Sequence, residues 1–355
     1  LSIVLEFPDG EAGGVPVLKD LLFAAKGLGL ELDFKALPAE DGSGPPPRSK
    51  SVLTLIGHGP ISARALARLT GVLADKGFNI ETIQRLDQAR IRCLELVVSS
   101  ADPKGPRALK NELLPVGREF GVDIALQPDT FFRRVKRLVV FDLDSTLIQA
   151  EIIDEMAAAA GVADRVRRVT EAAMVGKLDF RSALVERVAM LEGLAEDKLE
   201  AIYRALPLTP GAESLIRVLK RMGYRTAVIS GGFTWFTDRI KVRLGLDYAY
   251  ANVLEIENGR LTGRLAGPLI DGERKAELLQ EIAAAENIHV DQAIAIGDGA
   301  NDLPMLNRAG LGVAFNAKPA VRDAAEHSLN QARLDTILFL LGISQRDIAA
   351  LQEGD

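Results

Sequence analysis

Short apolar runs rich in Val, Ile and Ala recur along the second half of the chain, and each ends in a cluster of polar and glycine residues. Leu138-Val139-Val140-Phe141, Thr226-Ala227-Val228-Ile229 and Ala293-Ile294-Ala295-Ile296 are three of them. Runs this short, without polar alternation, predict strands buried on both faces, as in a parallel sheet. Amphipathic stretches with helical spacing lie between them. Thr209 and Pro210 supply the N-cap and first position of a helix that ends near Gly223. Tyr250 to Ile270, turning at Glu257-Asn258-Gly259, reads as a β-hairpin and a plausible flap. A last strand, Gly312 to Phe315, and helices at 319–325 and 335–341 complete the sheet packing. Between Glu151 and Leu206 the pattern changes. Four helical runs, 151–160, 163–173, 181–191 and 196–206, follow one another without a strand.

The first third has a different grammar. Ser51 to Ile56, Ile61 to Lys76, Asn79 to Leu86, Leu94 to Val98, Ala108 to Phe120 and Val122 to Leu126 alternate strand, helix, strand, strand, helix, strand. That order predicts a ferredoxin-like module. Its rear half repeats an earlier plan: Leu1 to Phe7, Val17 to Leu28 and Leu30 to Leu37, with Leu18-Lys19 matching Leu109-Lys110 and Gly29 matching Gly121. The Gly- and Pro-rich stretch Asp41 to Lys50 reads as a linker, and Phe131 to Lys136 as a second joint.

A chain of 355 residues exceeds a single core and suits two or three domains. A net charge of −6, with no Lys/Arg cluster, offers no footprint for nucleic acid. No apolar run reaches a membrane span and no signal peptide is apparent, so a cytoplasmic location is expected. One cysteine, Cys93, leaves no internal disulfide and reads as core. His58, His289 and His327 lack metal-ligand spacing and read as surface or loop residues.

Candidate chemistry sits where the strands stop, the place where open α/β sheets gather ligands. Asp142 and Asp144 follow the first apolar run, and two adjacent carboxylates repel unless a cation sits between them. Ser230-Gly231-Gly232 offers a hydroxyl and bare backbone to an anion. Lys275 opens a helical run, and Gly297-Asp298-Gly299-Ala300-Asn301-Asp302 follows the third strand.

The ordered set D-L-D-S-T, S-G-G, a lone Lys and G-D-G-A-N-D resembles the four motifs of the haloacid dehalogenase superfamily of phosphatases. The resemblance implies an α/β fold, a doubly wound parallel sheet with an inserted helical cap. The residues between the motifs (E-x-I-x-E-M-A from Glu151, M-x-G-x-x-x-F from Met174, F-x6-R-V from Phe180) resemble the phosphoserine phosphatase family within it. The front module, with its Gly57-x-Gly59-Pro60 turn, resembles ACT domains, although acidic effector-loop residues are replaced by Gly57-His58-Gly59. The expected domains are a partial ACT-like rear half at 1–42, an ACT-like domain at 51–130, a phosphatase core at 135–150 and 208–345, and a cap at 151–207.

The resemblance implies hydrolysis of O-phosphoserine to serine and phosphate, the last step of serine biosynthesis. Asp142 is then the nucleophile, Asp144 the general acid and base, and Lys275 the charge-offsetting group. Mg²⁺ is the implied cofactor, held by Asp142, the Asp144 carbonyl and Asp298, with Asp302 behind them. Ser230 and Gly231 would hold phosphate oxygens, with Asn301 beside them. Glu151 would take the substrate ammonium and Arg187 its carboxylate, while Met174 and Phe180 form the apolar lid. ACT domains imply a homodimer and an amino-acid effector, most economically serine. Transfer of the phosphoryl group to another alcohol, such as homoserine, and a non-catalytic amino-acid sensor stand as the alternatives.

Overall fold

Two sheets organise the molecule in the computed structural model, which describes residues 49–88, 91–102, 105–174 and 177–353. The expected partial module at 1–42, most of the Asp41 to Lys50 linker and the side chain of Met174 lie outside the described residues. From Arg48 onward the chain forms one compact unit.

The first sheet is antiparallel, in the order β2-β3-β1-β4, built from β1 (Ser49–Gly57), β2 (Asn79–Arg85), β3 (Cys93–Ser100) and β4 (Val122–Pro128). Helices Ala63–Asp75 and Gly105–Phe120 cover one face, burying Leu53, Leu55, Leu69, Leu96, Leu109 and Leu113. Ser62 caps the first helix by accepting from the Ala65 N–H at 3.1 Å.

The second sheet has seven strands in the order β11-β10-β9-β5-β6-β7-β8. These are β5 (Leu138–Phe141), β6 (Arg225–Phe233), β7 (Tyr248–Glu257), β8 (Arg260–Ala266), β9 (Ala293–Gly297), β10 (Leu311–Phe315) and β11 (His327–Leu329). All neighbours are parallel except β7 and β8. Every residue of β5 and β9 is buried, as their unbroken apolar runs require. β5 is central, and chain order runs outward from it on both sides, which makes its carboxyl end the switch point of the sheet.

Helices Ile152–Ala159, Ala163–Met174, Phe180–Ala189 and Glu196–Ala205 are inserted between β5 and β6. The two crossings into this cap lie side by side. Ile148 bridges Leu208, and the Gln149 N–H donates to Pro207 O at 2.9 Å. The hairpin is no free flap. It packs on the cap, with Gly193 N–H donating to Leu261 O at 2.8 Å and Leu261 N–H to Leu194 O at 2.9 Å.

Phe131 to Lys136 does not act as a loose joint. Phe131–Arg134 is a short helix capped by Thr130, Phe132 stacks on His289 at 4.8 Å between ring centroids, and Lys136 is buried. Ile56, Leu86, Cys93 and Ala125 of the ACT-like sheet share one core with Val139, Phe141, Leu334 and Leu338. Along this seam the buried Asp123 carboxylate accepts from Asn330 N–H at 2.8 Å, Asn330 Nδ2 at 3.1 Å and Gln331 Nε2 at 2.7 Å. Gln127 Nε2 donates to Leu340 O at 2.9 Å. His327 Nε2 lies 3.1 Å from Leu126 O, so this histidine is buried in the seam, contrary to its reading as a surface residue. The side chains of His58 and His289 are about half exposed.

Candidate active site

Three adjacent parallel strands, β9, β5 and β6, deliver three of the four motifs to one end of the sheet, and the helix Gly272–Ala285 brings Lys275 to them. Asp142 extends the β5 ladder by one hydrogen bond, donating its N–H to Ile296 O at 2.8 Å. The chain then makes a tight turn in which Ser145 adopts φ +55°, a left-handed conformation costly for a non-glycine residue. Ser145 Oγ donates to Glu151 Oε1 at 2.8 Å. Asp144 Oδ1 accepts the N–H of Ile152 at 2.8 Å, and its Oδ2 accepts from Ser230 Oγ at 3.3 Å. One carboxylate thus meets both the first cap helix and the β6 loop.

Lys275 is wholly buried, with its Nζ 2.6 Å from Asp142 Oδ1 and 2.7 Å from Asp302 Oδ1. Burial alone would lower its pKa, but Asp142 and Asp302 hold it above the ordinary lysine range. Asp302 is buried too; its second oxygen accepts the Gly299 N–H at 2.9 Å. Thr146 Oγ1 donates to Asp298 Oδ1 at 3.2 Å. Ligand atoms of Asp142, Asp298 and Asp302 all lie within 4.8 Å of one another.

Negative charge exceeds what the one ammonium offsets. Burial, then Asp302, raises the pKa of Asp142. Burial and Glu151 push Asp144 up to about 7, and burial, Asp302 and Glu151 push Asp298 up to about 7. A divalent cation relieves this condition, and a set of hard carboxylate oxygens suits Mg²⁺. The donor set fits the ion.

The cap brings its residues over this floor. A side chain added at Gly231 would place its Cβ 3.0 Å from Phe180 Cζ and 3.7 Å from Asn301 Nδ2, so all three lie together. Arg187 is half-buried; its Nε donates to Ala183 O at 3.2 Å and its Nη1 reaches Thr170 Oγ1 at 3.4 Å. Burial lowers its pKa while Asp154, Glu151 and Asp144 act to raise it, which places its charge within electrostatic reach of both Glu151 and Asp144. Asp142, Asp144, Ser230, Gly231, Lys275, Asn301, Asp298 and Asp302 therefore converge, with Glu151, Phe180 and Arg187 above them.

Two groups of this site had no assigned role in the sequence. Thr146 belongs to the D-x-D-S-T run, which is its only signal. Asn252 is buried, and its Nδ2 donates to Gly231 O at 2.8 Å and approaches Gly232 O at 3.3 Å. It lies on β7 with no motif to mark it.

Residues 139–307 match the family of haloacid dehalogenase-like hydrolases, and residues 49–127 match the ACT domain family. The chain is 48% identical to the phosphoserine phosphatase of Streptomyces coelicolor, over 85% of this chain and 72% of that protein. It is 41% identical to a phosphoserine phosphatase of Mycobacterium tuberculosis, over 100% of this chain and 86% of that one. The crystal structure of a probable phosphoserine phosphatase from Vibrio cholerae superposes with a TM-score of 0.65 at 33% identity, covering 86% of this chain and 89% of the other. With its four motifs gathered at one sheet end and its similarity running through both sheets, the chain belongs to the phosphoserine phosphatase family of haloacid dehalogenase-like hydrolases, and carries an ACT domain ahead of the catalytic body.

Proposed function

We propose that this chain hydrolyses O-phosphoserine to serine and phosphate through a phospho-aspartate at Asp142, with Mg²⁺ as cofactor. The observation that carries the reading is the pairing of Asp142 with Lys275 at 2.6 Å beside Asp144, which accepts from Ser230. Lys275 engages Oδ1 of Asp142, which leaves the other oxygen to attack phosphorus in line. The P–O bond to serine breaks as Asp144 protonates the departing oxygen. Burial and the neighbouring Glu151 raise the Asp144 carboxyl above the usual carboxylate range, a direction that suits that exchange, since the same group must then take a proton from the water that opens the phospho-aspartate. Ser230 Oγ and the Gly231 N–H receive phosphoryl oxygens, with Asn301 beside them. Glu151 and Arg187 read the ammonium and carboxylate of the substrate, and Phe180 closes the site to water.

Mg²⁺, held by Asp142, the Asp144 carbonyl and Asp298 and backed by Asp302, would supply neutralisation of the phosphoryl charge. Phosphate release from O-phosphoserine in Mg²⁺, abolished by a chelator and restored by the metal, is the expected result. Absence of release sinks the substrate; release indifferent to chelation sinks the cofactor.

The same reading gives the ACT domain two tasks, homodimerisation and binding of serine as an effector, in a cytoplasmic enzyme. Among the described residues no helix is long and apolar enough to cross a membrane. Effector coupling must be reciprocal: serine that weakens phosphoserine binding is itself weakened equally. Sedimentation, and serine titration of a catalytically silent variant, test the two tasks separately.

A further inference from the structure

The β6–β7 ladder breaks where the phosphate loop begins. Ile229 pairs with Tyr250, and the next pair is Phe233 with Asn252, so Ser230, Gly231 and Gly232 bulge out of register opposite Ala251. Such a bulge leaves backbone carbonyls without ladder partners, and buried carbonyls need one. Asn252 supplies it from a side chain. Its Nδ2 donates to Gly231 O at 2.8 Å and approaches Gly232 O at 3.3 Å, while its Oδ1 accepts the Ile270 N–H at 2.7 Å. Every polar group of a carboxamide that is 1% exposed is thereby committed.

The consequence runs through one peptide plane. In a trans peptide the C=O and the following N–H point in opposite directions. With Gly231 C=O held toward Asn252, the Gly232 N–H points the other way, and it donates to Ser230 Oγ at 2.8 Å. That bond occupies an acceptor site of the hydroxyl and leaves its proton directed at Asp144 Oδ2, 3.3 Å away. The loop has no slack to reach this arrangement by side-chain adjustment, because a Cβ at Gly232 would stand 3.0 Å from both Asp144 Oδ2 and Ser230 Oγ. At its other end Asn252 grips the residue before Asp271, which caps the helix carrying Lys275.

We propose that Asn252 is a positioning residue for the reaction: its carboxamide fixes the Gly231–Gly232 peptide, and through it holds Ser230 Oγ in place against Asp144, from where the hydroxyl proton turns to an incoming phosphate oxygen. The assignment rests on the phosphatase reading above. Asn252→Asp is the sharper variant, because it keeps the side-chain volume and the acceptor for Ile270 while removing the donor. Asn252→Ala removes both. The probe is inorganic phosphate, measured in Mg²⁺ as a competitive inhibitor and by titration calorimetry, with serine as a control ligand that does not use the loop.

Asn252→Asp should weaken phosphate binding about tenfold, the loss of one well-placed hydrogen bond network, and change serine binding less than about twofold. Placed on Ser230→Ala, the same change should cost less than about twofold, since its route of action is already gone. A merely structural asparagine would lower thermal stability and leave phosphate affinity of the folded protein unchanged; that result overturns the assignment. Equal losses for phosphate and serine, or a full loss on the Ser230→Ala background, overturn it too. If instead the wild-type protein neither binds phosphate nor releases it from O-phosphoserine, the failure belongs to the phosphatase reading.

Discussion

Arg181 Nε donates to Asp271 Oδ2 at 2.6 Å and so ties the cap helix that begins at Phe180 to the residue that caps the Lys275 helix. The other oxygen of Asp271 accepts the Arg274 N–H at 3.0 Å, which starts that helix. One carboxylate therefore serves the catalytic body and the cap together. Arg181→Ala should raise KM for phosphoserine a few-fold and shift stability by under about 1 kcal/mol, as an exposed ion pair permits. Asp271→Asn, which still caps the helix, should reproduce the KM effect. An unchanged KM in both would leave the pair as a surface contact.

Asp142→Asn should retain the fold and lower turnover by about a thousandfold or more, as loss of a nucleophile does. Wild-type protein quenched during turnover should carry acid-stable, base-labile phosphate on Asp142. Label found on Ser145 or Ser230 would redirect the mechanism.

Lys275→Met should abolish activity and also cost about 3–5 kcal/mol of stability, because Asp142 and Asp302 would remain buried without their cation. Chemical denaturation measures the second effect. A stable but inactive variant would show that the two carboxylates simply take up protons.

Arg187→Ala should slow phosphoserine hydrolysis and narrow its advantage over phosphoethanolamine, which lacks the carboxylate. Parallel kcat/KM measurements decide: equal losses on both substrates would make Arg187 a cap-packing residue, held by Ala183 and Thr170.

The seam between the two sheets should be stability-bearing. Asp123→Ala would strand the donors of Asn330 and Gln331 and cost about 1–3 kcal/mol. Burial holds the pKa of His327 below its ordinary value, with Glu326 and the Leu126 carbonyl opposing and Lys110 assisting. The unfolded chain then takes up this proton first as pH falls, so stability is full above the unfolded pKa and declines below it. Thermal unfolding at about pH 7.5 and about pH 5.5 should show a drop that His327→Gln reduces. A catalytic body begun near Arg133 would bare the surface that meets Ile56, Leu86 and Ala125, and should aggregate where the full chain does not.

Residues near Asp142 were legible because chemistry and strand end coincide within a few positions. An apolar run followed by D-x-D-S-T, or by G-D-G-A-N-D, carries its own structural context. The cap helices were legible from periodicity, and the ferredoxin-like order of the first sheet from alternation. Asn252 was not, because its meaning depends on a register break with β6 that no local pattern records. Asp123 escaped for a similar reason: its partners Asn330 and Gln331 lie more than 200 positions away. His327 looks like any polar residue of a short edge strand until the second sheet is laid beside it. The positive φ of Ser145 follows from the tightness of the turn, which residue types alone do not fix.

The side-by-side crossings at Ile148 and Leu208 give the cap the geometry of a cassette. Its two ends meet at a single bridge, so the segment between them can be exchanged without rethreading the sheet that positions Asp142, Ser230 and Asp298 or the helix that carries Lys275. Of the side chains proposed to surround the substrate, Glu151, Phe180 and Arg187 fall inside the cassette, and the groups proposed to handle phosphate fall outside it. Selection acting on residues 149–207 can therefore retune which organic group is accepted while the phosphoryl chemistry is inherited intact.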